Sequence, residues 1–107
     1  MSDECKVTVD AGVCKFKTVI FAKSNPDTGM VDLEIQSDCP NVLKMSWGIA
    51  SVCPYTEVEA EMNKTDVYKR ASETLPHAAC PVPCGMIKAI EVAGGLGLKR
   101  DVTIKIE

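Results

Sequence analysis

The sequence predicts an α+β domain: a mostly antiparallel sheet of three N-terminal strands and one C-terminal strand, with two or three helices packed on one face. Three observations predict it. Residues 5–9, 15–22 and 30–36 carry strand patterns in succession, separated by short turn-forming stretches. Residues 40–50, 66–74 and 81–93 then place apolar side chains at helical spacing. Asp101-Val-Thr-Ile-Lys-Ile-Glu107 alternates once more. Strands in a run followed by helices in a run are the pattern of an α+β fold. The 107 residues, 46% hydrophobic and 25% charged, suit one domain over 1–107 that buries a core without disulfides.

Each element has its own signal. Cys5, Val7 and Val9 alternate with Lys6 and Thr8, which makes a half-buried strand. Asp10-Ala11-Gly12 turns the chain, so Cys14 falls between the first two strands. Residues 15–22 are β-branched and aromatic, and Lys23–Gly29 is dense in turn formers. Over 30–36, Val31, Leu33 and Ile35 point inward. Pro40 opens a helix over 40–50, with Cys39 at its N-cap. A short acidic helix follows around Glu57, Glu59 and Glu61. Asn63-Lys64-Thr65 supplies a turn and a cap for 66–74, which Pro76 ends. The last helix, 81–93, buries Met86, Ile87, Ile90 and Ala93 and stops at Gly94-Gly95. Trp47 and the five methionines read as core.

Charge and composition exclude several function classes. A net charge of −3 with no Lys/Arg cluster argues against nucleic acid and against an anionic membrane as partner. No apolar run approaches the roughly 18 residues of a membrane span. The first residues lack the apolar core of a signal peptide, so the expected compartment is the cytoplasm. The single histidine leaves little room for general base work, and no serine–histidine–acid set stands out.

Six cysteines with no export signal point to metal or thiol chemistry rather than disulfides. They contain no Cys-x-x-Cys pair, so any site is assembled from distant positions. Cys39-Pro40, Cys53-Pro54 and Cys80-Pro81 repeat one device, because proline favours the first helical position and makes the preceding cysteine the N-cap. A thiol there faces open N–H groups and the positive end of the helix dipole, which favours the thiolate. Cys14 at its hairpin, with Cys39 and Cys80 at helix starts, forms a set if both helices begin at the hairpin end of the sheet. Convergent thiolates suit zinc or an iron–sulfur cluster. Cys84, one turn after Cys80, and His77 are the candidates for a fourth ligand, and Asp38 is a weaker oxygen donor. Cys5 and Cys53 read as packing.

The order of Cys14, Cys39 and Cys80 resembles the NifU/IscU-type iron–sulfur cluster scaffolds, over about residues 3–93. In that family a cysteine follows the first strand, a second caps the helix after the third strand, and a third caps the last helix. The segment Met62–Arg70 is similar as well. The scaffold's aspartate after its first cysteine is Phe16 here, and its histidine before the last cysteine is Ala79, with His77 upstream. This resemblance implies an IscU-like fold, a metal ion or cluster as cargo, and a cysteine desulfurase or cluster acceptor as partner. Asp38-Cys39-Pro40-Asn41 and Cys80-Pro81 resemble signatures of TSCPD-type domains. The Leu-Pro-His…Cys-Pro-Val-Pro stretch is similar to that of small uncharacterised proteins from anaerobic archaea and bacteria.

Three readings follow. The first is a metal- or cluster-binding protein using Cys14, Cys39 and Cys80 with Cys84 or His77. The second is a sulfur carrier or thiol-redox protein acting through Cys80, whose Cys-Pro-x-Pro motif resembles TusA-type carriers. The third is a domain whose thiols are simply buried.

Overall fold

The computed structural model describes residues 3–107. The chain runs β1 (Glu4–Asp10), β2 (Lys17–Asn25), β3 (Met30–Ser37), α1 (Pro40–Ser46), β4 (Ser51–Val52), α2 (Pro54–Val58), a 3₁₀ turn at Met62–Lys64, α3 (Asp66–Thr74) and α4 (Val82–Ala93). The four strands form one antiparallel sheet in the order β1-β2-β3-β4. The α+β class and the four-stranded antiparallel sheet are as expected. Among the described residues no helix is long and apolar enough to cross a membrane.

Alternation decides which face of the sheet is covered. Val7, Val9, Ile20, Ala22, Val31 and Leu33 turn toward the helices, while Lys6, Phe21 and Glu34 form a solvated row on the other face. Ile20, Val31, Met45, Met86 and Ile90 lie at the centre of the core. Helix α4 lies diagonally across it. A Cβ on Gly85 would fall 2.7 Å from Val9 Cγ2, and one on Gly94 2.7 Å from Pro54 Cβ. The helix therefore starts over the far end of β1 and finishes against α2.

Several expectations need correction. Residues 101–107 are not the fourth strand. They lie outside the sheet and exposed, and the fourth strand is the two-residue Ser51–Val52, paired with Asp32 and Val31. Alternation shows that a segment can be one-sided, and it cannot name a strand to pair with. Helix α1 stops at Ser46 rather than at residue 50. There the Arg70 guanidinium donates to the Lys44 carbonyl at 3.0 Å and lies against Gly48. Trp47, expected in the core, becomes the C-cap and is 76% exposed. Of the five methionines read as core, Met45 and Met86 are buried, Met30 is half-buried, Met62 is exposed, and Met1 lies outside the described residues.

Candidate functional site

The strand registers and the packing of α4 bring four of the six cysteines to one end of the sheet. Val9 pairs with Thr18, Thr18 with Ser37, and Asp10 with Lys17. Beyond this row lie the β1–β2 loop, which carries Cys14, and the start of α1, which carries Cys39. The beginning of α4 rests over Val9, so Cys80 and Cys84 belong to the same end.

Local hydrogen bonds hold each position. Gly12 N–H donates to Asp10 Oδ1 at 3.2 Å, and Lys15 N–H donates to the Gly12 carbonyl at 2.9 Å. Cys14 is exposed inside that turn. Its neighbour Lys15 has φ +62°, a left-handed conformation that costs a non-glycine residue about 1–2 kcal/mol. Cys39 is half-buried at the N-cap of α1, with extended backbone and no side-chain capping bond. Its N–H donates to Ser37 Oγ at 3.1 Å, and that hydroxyl lies 2.7 Å from Thr18 Oγ1. Asp38 is tied to the sheet rather than aimed at a ligand: its Oδ2 accepts the Lys17 N–H at 3.3 Å.

Cys80 is not the N-cap of the last helix. That position belongs to Pro81, in the helical region at φ −79° and ψ −6°, so α4 begins at Val82. The Cys80 N–H instead donates to the His77 carbonyl at 3.2 Å, closing a turn before the helix. Cys80 is half-buried against the core, whereas His77 is exposed. Cys84 is exposed in the first turn of α4. The Tyr68 hydroxyl on α3 holds its proton more tightly than usual, first through burial and then through the Cys84 charge. Tyr68 is thus a neighbour of Cys84.

All six cysteines are free thiols. Among the described residues, no group of three His, Cys, Asp or Glu side chains is arranged to hold a metal ion. Cys14, Cys39, Cys80 and Cys84 share an end of the sheet without closing into a ligand set, and His77 does not complete one.

The two cysteines read as packing differ from each other. Cys5 lies on the inner face of β1, where burial pushes its thiol up and the Lys99 charge pulls it partly back. Cys53 caps α2. The backbone N–H of Thr56, opposed by partial burial and aided by that of Tyr55, holds its thiol below the ordinary value. The sulfur faces these dipoles without making a capping hydrogen bond. The Cys-Pro signal that marked Cys80 was present at Cys53 too.

A second feature of the helical layer was not foreseen. Glu57 is only 3% exposed, and its two carboxylate oxygens accept the N–H groups of Asp66 at 2.8 Å and Val67 at 2.9 Å. Thr65 Oγ1 accepts the Tyr68 N–H at 3.1 Å beside them. The start of α3 is therefore capped twice, as expected for Thr65 and unexpectedly for Glu57.

An open depression of about 600 Å³ lies at the other end of the sheet, against Cys5, Phe21, Leu33 and Lys99, away from the gathered thiols. No curated protein and no solved structure matches the chain. Residues 5–106 match a family of unknown function, DUF6951, and the chain belongs to that family.

Proposed function

We propose that this member of a family of unknown function binds a soft metal ion or an iron–sulfur cluster through the thiolates of Cys14, Cys39, Cys80 and Cys84, with His77 as the alternative fourth ligand. The observation that supports it is the common placement of the four cysteines at one end of the sheet, beside the starts of α1 and α4. Thiolates are the donors that zinc and iron–sulfur clusters favour. The donors fit such a group in chemistry but not in their present spacing. Binding therefore needs the Gly12–Lys15 and His77–Cys80 turns, which carry exposed residues, to close on Cys39. Partners on this reading are a cysteine desulfurase or a cluster acceptor.

The test is the metal content, acid-labile sulfide and visible absorption of protein purified without oxygen. The expected result is near-stoichiometric zinc, or iron with sulfide, which is lost in Cys39→Ser and Cys80→Ser and kept in Cys5→Ser. Metal-free protein whose six thiols all titrate freely would overturn the reading.

A second reading rests on the exposure of Cys84, four residues after Cys80. On it, the chain is a sulfur carrier or thiol-redox protein. The Cys80 thiolate attacks the outer sulfur of a desulfurase persulfide, and the desulfurase cysteine leaves as thiolate. Cys84 then acts as the resolving thiol: its thiolate attacks the Cys80 sulfur, a Cys80–Cys84 disulfide forms, and the outer sulfur leaves as hydrosulfide. Incubation with a cysteine desulfurase and cysteine is expected to add the mass of one sulfur atom to the Cys80 peptide. An unmodified Cys80 counts against this reading.

A further inference from the structure

Segment Asp101–Glu107 has the period of a strand but takes no part in the sheet among the described residues. Val102, Ile104 and Ile106 are 58%, 75% and 93% exposed, and alternate with Asp101, Thr103, Lys105 and Glu107. Among the described residues the sheet has two outer strands. One edge is β4, two residues long. The other is β1, seven residues long, which pairs only with β2 among the described residues. The Ser24 N–H donates to the Asp3 carbonyl at 2.8 Å. The closely bonded pairs with β2 therefore recur at Cys5, Val7 and Val9, and the N–H and C=O groups of Lys6 and Thr8 point to the open side. Such a row is a template for a further strand.

We propose that the Asp101–Glu107 segment of a second copy of this chain pairs antiparallel with β1, each copy giving its segment to the other across a two-fold axis. The point at which the segment leaves its own domain selects this occupant. Lys99 lies beside Cys5, at the Glu4 end of β1. Laid on its own β1, the segment would have to run parallel. Exchanged, each segment starts where its partner's segment ends, which closes the sheet into an isologous pair.

Burial and charge set the register. Val9 is buried under α4, whereas Cys5 and Val7, the latter also touching α4, stay half-buried. The apolar side chains therefore belong at the latter two, with Val102 opposite Val7 and Ile104 opposite Cys5. This register sets Lys105 opposite Glu4, Thr103 opposite Lys6 and Asp101 opposite Thr8. A shift of two residues toward Asp10 would oppose Lys105 to Lys6 and Asp101 to Asp10, and like charges facing each other across strands destabilise the pairing.

Cys5 makes the inference testable with a native thiol. Opposite Ile104 it occupies a position without direct hydrogen bonds on the new edge, where paired Cα atoms lie about 4.5 Å apart. That separation falls within the disulfide range of roughly 4.4–6.8 Å. Mild oxidation of Ile104→Cys is expected to give a covalent dimer, with peptide mapping joining the introduced thiol to Cys5 of the other copy. Thr103→Cys, on the opposite face, gives no such link. The native chain is expected to sediment at twice the mass of Ile104→Asp at micromolar concentration, with the same circular dichroism. Because residue 104 is exposed, its substitution leaves the fold intact. Three results would overturn the proposal: a monomeric native chain, a dimer that survives Ile104→Asp, or a Cys5 disulfide formed within one chain.

Discussion

The starts of α2 and α4 look alike in sequence, Cys53-Pro54 and Cys80-Pro81, and differ in structure. At Cys53 the backbone is extended, at φ −82° and ψ 118°, and the helix opens directly on the proline. The sulfur then faces the N–H groups of Thr56 and Tyr55. At Cys80 the chain has already turned, with its N–H held by the His77 carbonyl, and Pro81 takes the cap position. Proline fixes its own φ, while the residues before it decide whether the preceding cysteine caps the helix. One dipeptide thus puts a thiol at the N-cap position in one place and a pre-helical thiol in the other.

The start of α3 offers a third case, one capped by side-chain oxygens, and breaking it carries the largest expected effect. Glu57→Ala leaves two N–H groups without their acceptor, one of them, on Val67, buried and the other, on Asp66, part-buried. Buried unsatisfied groups cost about 1–3 kcal/mol each. The expected loss is roughly 2–4 kcal/mol after partial rehydration, read as a lower denaturant midpoint at unchanged slope. An unshifted midpoint would refute the double cap.

A smaller effect of opposite sign sharpens the comparison between the cysteines. Cys53→Ser places a hydroxyl oxygen where the sulfur makes no capping bond. Stability is expected to rise by about 0.5–1 kcal/mol, a typical value for a serine cap. Cys80→Ser lies outside its helix and brings no such gain, so equal midpoint shifts in the two variants would erase the distinction.

The smallest effect is one of reactivity. The Cys53 thiol is lowered, so its thiolate forms at lower pH; the Cys5 thiol is raised, so its thiolate forms only at higher pH. Alkylation followed by peptide mapping is expected to rise with pH at Cys53 before it rises at Cys5. The reverse order would contradict the backbone dipoles at α2.

The three helix starts also show what local pattern can and cannot carry. Strands β1 to β3, helix α3 and the Thr65 cap were legible because alternation, helical spacing and turn residues are written locally. The placement of Cys14 and Cys39 at one end was legible from their order along antiparallel strands, whereas that of Cys80 held only on the condition that α4 begins at that end. Their mutual spacing was not legible, because it depends on how α1 and α4 settle on the sheet. Glu57, Glu59 and Glu61 alternate identically, yet only Glu57 is buried, since its partners lie nine and ten residues further on. Ser51–Val52 is too short to leave a pattern, while residues 101–107 leave a clear one without a partner in their own chain. Trp47 was misplaced because a hydrophobic residue at the close of a helical stripe also fits a C-cap.

The Glu57 carboxylate also bears on how the molecule opens. Amides in the first turn of a helix have no partner within that helix and ordinarily exchange with water early. Here the Asp66 and Val67 amides are latched from the preceding helix, so they are released only when α2 swings away from α3. Helices α2 and α3 then open as one cooperative unit. Deuterium uptake at those two amides reports the lifetime of the whole latch rather than the fraying of a helix end.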